Sequence, residues 1–153
     1  MSTHSALSPS KRHRWALCPG SLREEAKFPD ERSGAAAIDG TAHGDRGPVD
    51  DAERSNYRLM WQRPNIVQSM ADDWRATLDA LCGLQEVDAS RVGYWGVSMG
   101  TMFGLPYVAN EPRVRVAVLG KAGMTGPSVV RSGIDAHFRQ HAGDVRVPVL
   151  FTM

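Results

Sequence analysis

The stretch Gly93-Tyr94-Trp95-Gly96-Val97-Ser98-Met99-Gly100-Thr101 sets a serine between two glycines at the spacing Gly-x-Ser-x-Gly. A serine hydroxyl is a weak nucleophile until a base takes its proton and fixed donors hold the oxyanion it creates. A tight strand-to-helix turn exposes such a serine by forcing it into a strained conformation. Side chains beside it would clash, so glycines belong at positions 96 and 100. The next amide, that of Met99, would then face the developing oxyanion at a helix N-terminus. The residues point to acyl transfer through Ser98, with Met99 as one oxyanion donor. A glycine-rich turn with a bystander serine would show the same letters.

The available bases are His4, His13, His43, His137 and His141, and the acids near expected strand ends are Asp39, Asp45, Asp50 and Asp51. His43 and Asp45 share one loop and could shape a site there. His137 and His141 are four apart and share a helix face. Such a pair can bind a metal, but neighbouring Asp135 and Asp144 complete no metal-ligand spacing, and a polar surface face accounts for the pair. Cys18 and Cys82 make no disulfide framework. No metal and no cofactor is expected.

These residues need elements to hold them. Val92–Val97 is a β-rich run leading into Ser98, and 99–109 reads as a helix weakened by Gly104 and Pro106. Val114–Leu119 and Val147–Thr152 are further strands, and Ala35–Asp39 is a short apolar run closed by Asp-Gly. Ile66, Val67, Met70, Trp74, Leu78 and Leu81 recur at helical spacing, which predicts an amphipathic helix ending at Gly83. A shorter helix is expected near 133–141, and residues 40–64 read as loop. Before position 34 the expectation is a helix around 9–17, the turn Cys18-Pro19-Gly20, and a second helix capped by Ser21 and Glu24. Strands alternating with helices predict an α/β chain with a parallel sheet.

The 153 residues suit one modest domain, and a content of 42% hydrophobic and 23% charged residues allows a packed core. Eighteen basic and 17 acidic residues leave a net charge of +1, which gives no general case for nucleic acid or membrane surfaces. No apolar run approaches the ~18 residues of a spanning helix, and the basic N-terminus lacks an apolar signal core. A soluble, cytoplasmic protein is the expectation.

Five stretches resemble the middle of an α/β-hydrolase of the dienelactone-hydrolase and esterase kind. They are AAAIDGTAHGDR (35–46), the helix near 66–82, VDASRVGYWGVSMGT (87–101), RVAVLGKAGM (115–124) and VPVLFTM (147–153). The resemblance covers residues 35–153 and implies a partial parallel sheet with flanking helices. It puts a nucleophile at Ser98, an oxyanion amide at Met99 and elbow glycines at Gly96 and Gly100, acting on a small-molecule ester. It also implies that the acid follows 147–153 and the histidine follows a further strand, so this chain supplies neither. The early strands, with the loop giving a second oxyanion amide, are expected to be missing. Ala35–Asp39 would then lack its usual sheet neighbour, leaving a three-stranded core. An uncovered sheet edge would favour self-association.

Residues 4–43 resemble something else: the N-terminus of a RecB-like phage exonuclease family. The pattern is Ser8-Pro9-Ser10, His13-Arg14-Trp15, Cys18-Pro19-Gly20-Ser21 and Gly40-Thr41-Ala42-His43. That resemblance implies that Cys18 could be a first iron–sulfur ligand and His43 part of a nuclease site. Cluster ligation needs about four thiolates, and the chain has two cysteines. A Cys-Pro-Gly turn is the simpler role, and nucleic acid an unfavoured partner. The two resemblances divide the chain at 34/35 and overlap within 35–46, which suggests a chimera joined there.

Overall fold

A computed structural model describes residues 13–19, 33–41, 43–46, 63–126 and 133–153. Five strands form one sheet: β1 (His13–Pro19), β2 (Ser33–Ile38), β3 (Val87–Val97), β4 (Val114–Gly120) and β5 (Val149–Thr152). Their order is β2-β1-β3-β4-β5, and every neighbouring pair is parallel. Parallel strands all finish at one edge of the sheet. Ile38, Pro19, Val97, Gly120 and Thr152 therefore end β2, β1, β3, β4 and β5 on the same side.

Three α-helices lie among the described residues, α1 (Ile66–Cys82), α2 (Met99–Asn110) and α3 (Ile134–His141), with short 3-10 turns at Gly44–Arg46 and Ala142–Asp144. The apolar positions of α1 are the buried ones: Ile66, Val67, Met70, Trp74 and Leu78. Leu81 lies half-buried at its end. The helix starts after Asn65, whose φ of 64° is left-handed, and stops at Gly83. α2 buries residues all around its surface, as a helix enclosed by other elements must. It runs unbroken through Gly104 and Pro106, which the sequence reading took as weak points. α3 anchors itself through buried Ile134 and Phe138.

The core lies between these helices and one sheet face. Trp74 of α1, Tyr94 of β3 and Tyr107 of α2 pack with ring centroids 5.1–5.7 Å apart. Such tilted aromatic pairs each add about 0.5–1.5 kcal/mol beyond area burial. Alternation along β3 sends Val92, Tyr94 and Gly96 inward and Trp95 and Val97 to the other face. That other face exposes Trp95 (38%), Val116 (46%) and Leu150 (60%).

Two expectations fail at the N-terminus. Residues 13–17, read as part of a helix, belong to β1. β2 does not lack a neighbour, and the core has more than three strands. β1 lies between β2 and β3, pairing Ala16 with Ala35 on one side and with Gly93 on the other. Composition misled here: Lys, Arg, Ala and Leu favour helix in isolation. Two parallel edges offering hydrogen bonds to both sides of one strand outweigh that preference. The apolar run Trp15–Cys18 before Pro19-Gly20 also fits a short central strand. The 34/35 division falls inside β2. The helix expected after Ser21 lies outside the described residues.

Candidate active site

β3 ends at Val97 and α2 begins at Met99, leaving Ser98 alone in the turn. Ser98 has φ 54° and ψ −110°, outside the ordinary wells for a residue with a side chain. Such a conformation costs about 1–3 kcal/mol and persists only where its surroundings enforce it. The enforcing bonds are visible. The Ser98 amide donates to the Gly120 carbonyl of β4 at 2.8 Å. The Ser98 carbonyl accepts from the Thr101 and Met102 amides at 2.9 and 3.0 Å, which closes the first turn of α2.

Both elbow glycines are buried. A Cβ on Gly96 would stand 2.6 Å from the Gly100 carbonyl carbon, and closer still to its oxygen. No residue larger than glycine fits there. Met99 opens the helix, so its amide belongs to the group of N-terminal donors beside Ser98. The Ser98 side chain is exposed at the strand-end edge of the sheet.

Two braces behind the turn were not read from the sequence. Thr101, 1% exposed, places its hydroxyl 2.9 Å from the Gly96 carbonyl and 2.7 Å from the Gly120 carbonyl. The same oxygen accepts the Gly120 amide at 2.8 Å. One hydroxyl thus ties the end of β3, the start of α2 and the end of β4 together. Tyr94 donates its hydroxyl to the Gly100 carbonyl at 2.7 Å. Its ring occupies the space a Cβ on Gly104 would need, 2.6 Å from the ring carbon bearing the hydroxyl. Gly104 therefore admits the tyrosine that holds the elbow. A Gly-x-x-x-Gly repeat at 96, 100 and 104 was the available signal.

The loop after β2 reaches this region. Gly40 is buried, and a Cβ there would meet the Met99 methyl at 2.7 Å. The His43 Nδ1 donates to the Thr41 carbonyl at 3.0 Å. The Asp45 amide donates to Asp39 Oδ2 at 2.9 Å, and Arg46 pairs with Asp73 of α1 at 2.7 Å. These bonds fix His43 and Asp45 in a loop bordering Met99. Among the described residues, no histidine is hydrogen-bonded to Ser98. Asp50, Asp51 and the residues following β1 lie outside the described residues. Cys18 and Pro19, expected in a Cys-Pro-Gly turn, instead belong to β1, where Cys18 pairs with Ala37 because the neighbouring strand β2 runs alongside them; Cys82, free and half-buried, ends α1. No group of three or more His, Cys, Asp or Glu among the described residues could hold a metal. No helix among them is long and apolar enough to cross a membrane.

A parallel sheet with a strained serine between its central strand and a buried helix defines the class: this is a partial α/β-hydrolase fold. Comparison with known proteins agrees. A cold-adapted esterase from an Arctic intertidal metagenomic library, in a PEG-bound complex, matches with a TM-score of 0.68 at 28% identity. The match covers 92% of this chain and 60% of that one, so the chain spans less than two thirds of the esterase. A ferulic acid esterase from Streptomyces cinnamoneus matches at 18% identity and TM-score 0.55, covering 94% of this chain and 51% of that one. Porphyromonas gingivalis dipeptidyl peptidase 4 gives 17% identity and TM-score 0.57, covering 95% of this chain and 24% of that one. A family described as "protein of unknown function (DUF2800)" matches residues 4–44. That is the stretch carrying the second resemblance, and its description assigns no activity.

Proposed function

We propose that this chain carries the nucleophilic part of a serine esterase acting on small-molecule carboxylic esters. Ser98 would attack the acyl carbonyl, expelling the alcohol and leaving an acyl-enzyme that water then hydrolyses. The Met99 amide would stabilise the oxyanion in both steps. The observation carrying this reading is the Ser98 backbone, φ 54° and ψ −110°, at the junction of a parallel strand and a buried helix. A bystander serine gains nothing from that strain, whereas a nucleophile is exposed by it. The acid and histidine are expected, on the resemblance, in segments following β5 and the next strand. Ser98 acting with its oxyanion donors alone would turn over several orders of magnitude more slowly than a complete triad.

The test is hydrolysis of a chromogenic acetate ester together with covalent labelling by a fluorophosphonate. Wild type should show slow turnover and label at Ser98, and Ser98→Ala should show background only. Equal rates in the two proteins would sink the assignment.

A further inference from the structure

We propose that a cleft between α1, α2 and α3 binds a small organic carboxylate, at a site separate from Ser98 and independent of the esterase reading. The cleft has a volume of about 210 Å³, below the ~300–1,000 Å³ of sites for larger organic ligands. Asn110 on its wall ends α2, whose first residue follows Ser98. Twelve helical residues at ~1.5 Å each put the two sites roughly 18 Å apart along that axis.

The lining is rich in donors. Arg75, Gln68, Asn110, His137, Gln140 and His141 contribute to it, and no Asp or Glu does among the described residues. Apolar Val67, Ala71 and Pro106 supply the remaining wall. Asp72, just outside, accepts from Gln68 Nε2 at 2.7 Å and Arg75 Nη1 at 2.8 Å on one oxygen. It thereby orients both side chains. Among the described residues, nothing takes the Nε and Nη2 hydrogens of Arg75. That leaves a two-donor fork suited to a carboxylate.

The histidines are set for the same task. Asn110 Nδ2 donates one hydrogen to the Pro106 carbonyl at 2.8 Å and lies 3.2 Å from His141 Nδ1. An amide nitrogen only donates, so in that contact His141 Nδ1 accepts, the geometry of the tautomer that carries its hydrogen on Nε2. Among the described residues no third ligand completes a two-histidine metal site. The rings of His137 and His141 also stack at 6.4 Å rather than converging. Burial, then the neighbouring His141, lowers the His137 pKa. One cationic fork, amide and ring N–H donors and an apolar wall describe a site for a monoanion with a short alkyl chain.

The test is an amide-shift titration of the whole isotopically labelled chain with butyrate, using butyramide as the uncharged isostere. Butyrate should give saturable shifts at Arg75, Asn110 and His141. Butyramide should bind about tenfold more weakly or worse, as expected for loss of a charge-assisted pair. Arg75→Gln should weaken butyrate to a similar degree. Gln140→Glu, at an exposed position, should do so by adding a repelling carboxylate without touching the core. Ser98→Ala should bind butyrate unchanged. Equal binding of butyrate and butyramide, unchanged affinity in both cleft variants, shifts confined to the Ser98 edge, or no saturable shift would each overturn the proposal.

Discussion

Replacing Thr101 with valine removes one buried hydroxyl and almost no volume. Gly120 then loses the acceptor for its buried amide, which stands 2.8 Å from that oxygen. Leaving such a donor unpaired costs about 1–3 kcal/mol. The hydroxyl's single hydrogen, shared between the Gly96 and Gly120 carbonyls, is lost as well, at about 1 kcal/mol. The sum is roughly 2–4 kcal/mol. Thr101→Ser keeps every one of these bonds and gives up a buried methyl, worth about 1 kcal/mol. Urea unfolding followed by tryptophan emission measures both. Thermal midpoints should separate too, with Thr101→Val lower than wild type by roughly 5–10 °C for a domain of this size. Faster hydrogen exchange at the Gly120 and Ser98 amides should accompany the valine variant. If valine proves as stable as serine at this position, the hydroxyl does not hold the elbow and the reasoning fails.

Two further outcomes follow from the same turn and from the loop after α2. Ser98→Gly should stabilise the chain by about 1 kcal/mol, because glycine relieves the strained conformation at a modest unfolded-state cost. Ser98→Ala should not, and a destabilised glycine variant in urea melts would mean the turn is unstrained. Arg113 binds Glu111 through Nε at 2.6 Å and Nη2 at 2.8 Å, and the Glu111 side chain is only 3% exposed. Arg113→Met removes the guanidinium from that carboxylate, leaving it the backbone amide of residue 113 at 3.1 Å, and should cost about 3 kcal/mol at neutral pH. The Arg113 hydrogen bond holds the Glu111 pKa below its ordinary value. The pair's contribution is therefore complete above the usual carboxylate range and disappears as pH falls through the depressed folded value. Urea midpoints of wild type and Arg113→Met should converge from pH 7 towards acid, and a pH-independent gap would contradict the linkage.

What the sequence disclosed depended on how local each signal was. The periodicity of α1 is written in consecutive turns, and Ile66, Val67, Met70, Trp74 and Leu78 are all buried. Strand, Ser98 and helix lie next to one another, so the elbow was legible as a motif. β1 was not, because its conformation is decided by β2 and β3, and Trp15 pairs with Val92 far along the chain. Thr101 follows the motif in silence: only the arrival of Gly120 from β4 gives its hydroxyl a purpose. His137 and His141 read as a polar helix face until α1 brings Arg75 to the same cleft. Gly104 looked like a helix breaker, and the reason for it is the Tyr94 ring ten residues upstream.

The two sides of the central sheet can be told apart by light. Trp74 is 1% exposed between Tyr94 and Tyr107, whereas Trp95 is 38% exposed on the face opposite Tyr94. An indole in a packed apolar setting emits to the blue of one touching water. Anything that settles on the Trp95 face, whether detergent, another protein or additional chain, would move the Trp95 emission and leave that of Trp74 in place. With the other two tryptophans, Trp15 and Trp61, replaced by phenylalanine, the molecule becomes an optical gauge: Trp74 reports whether the core is formed, and Trp95 whether the exposed sheet face has been covered.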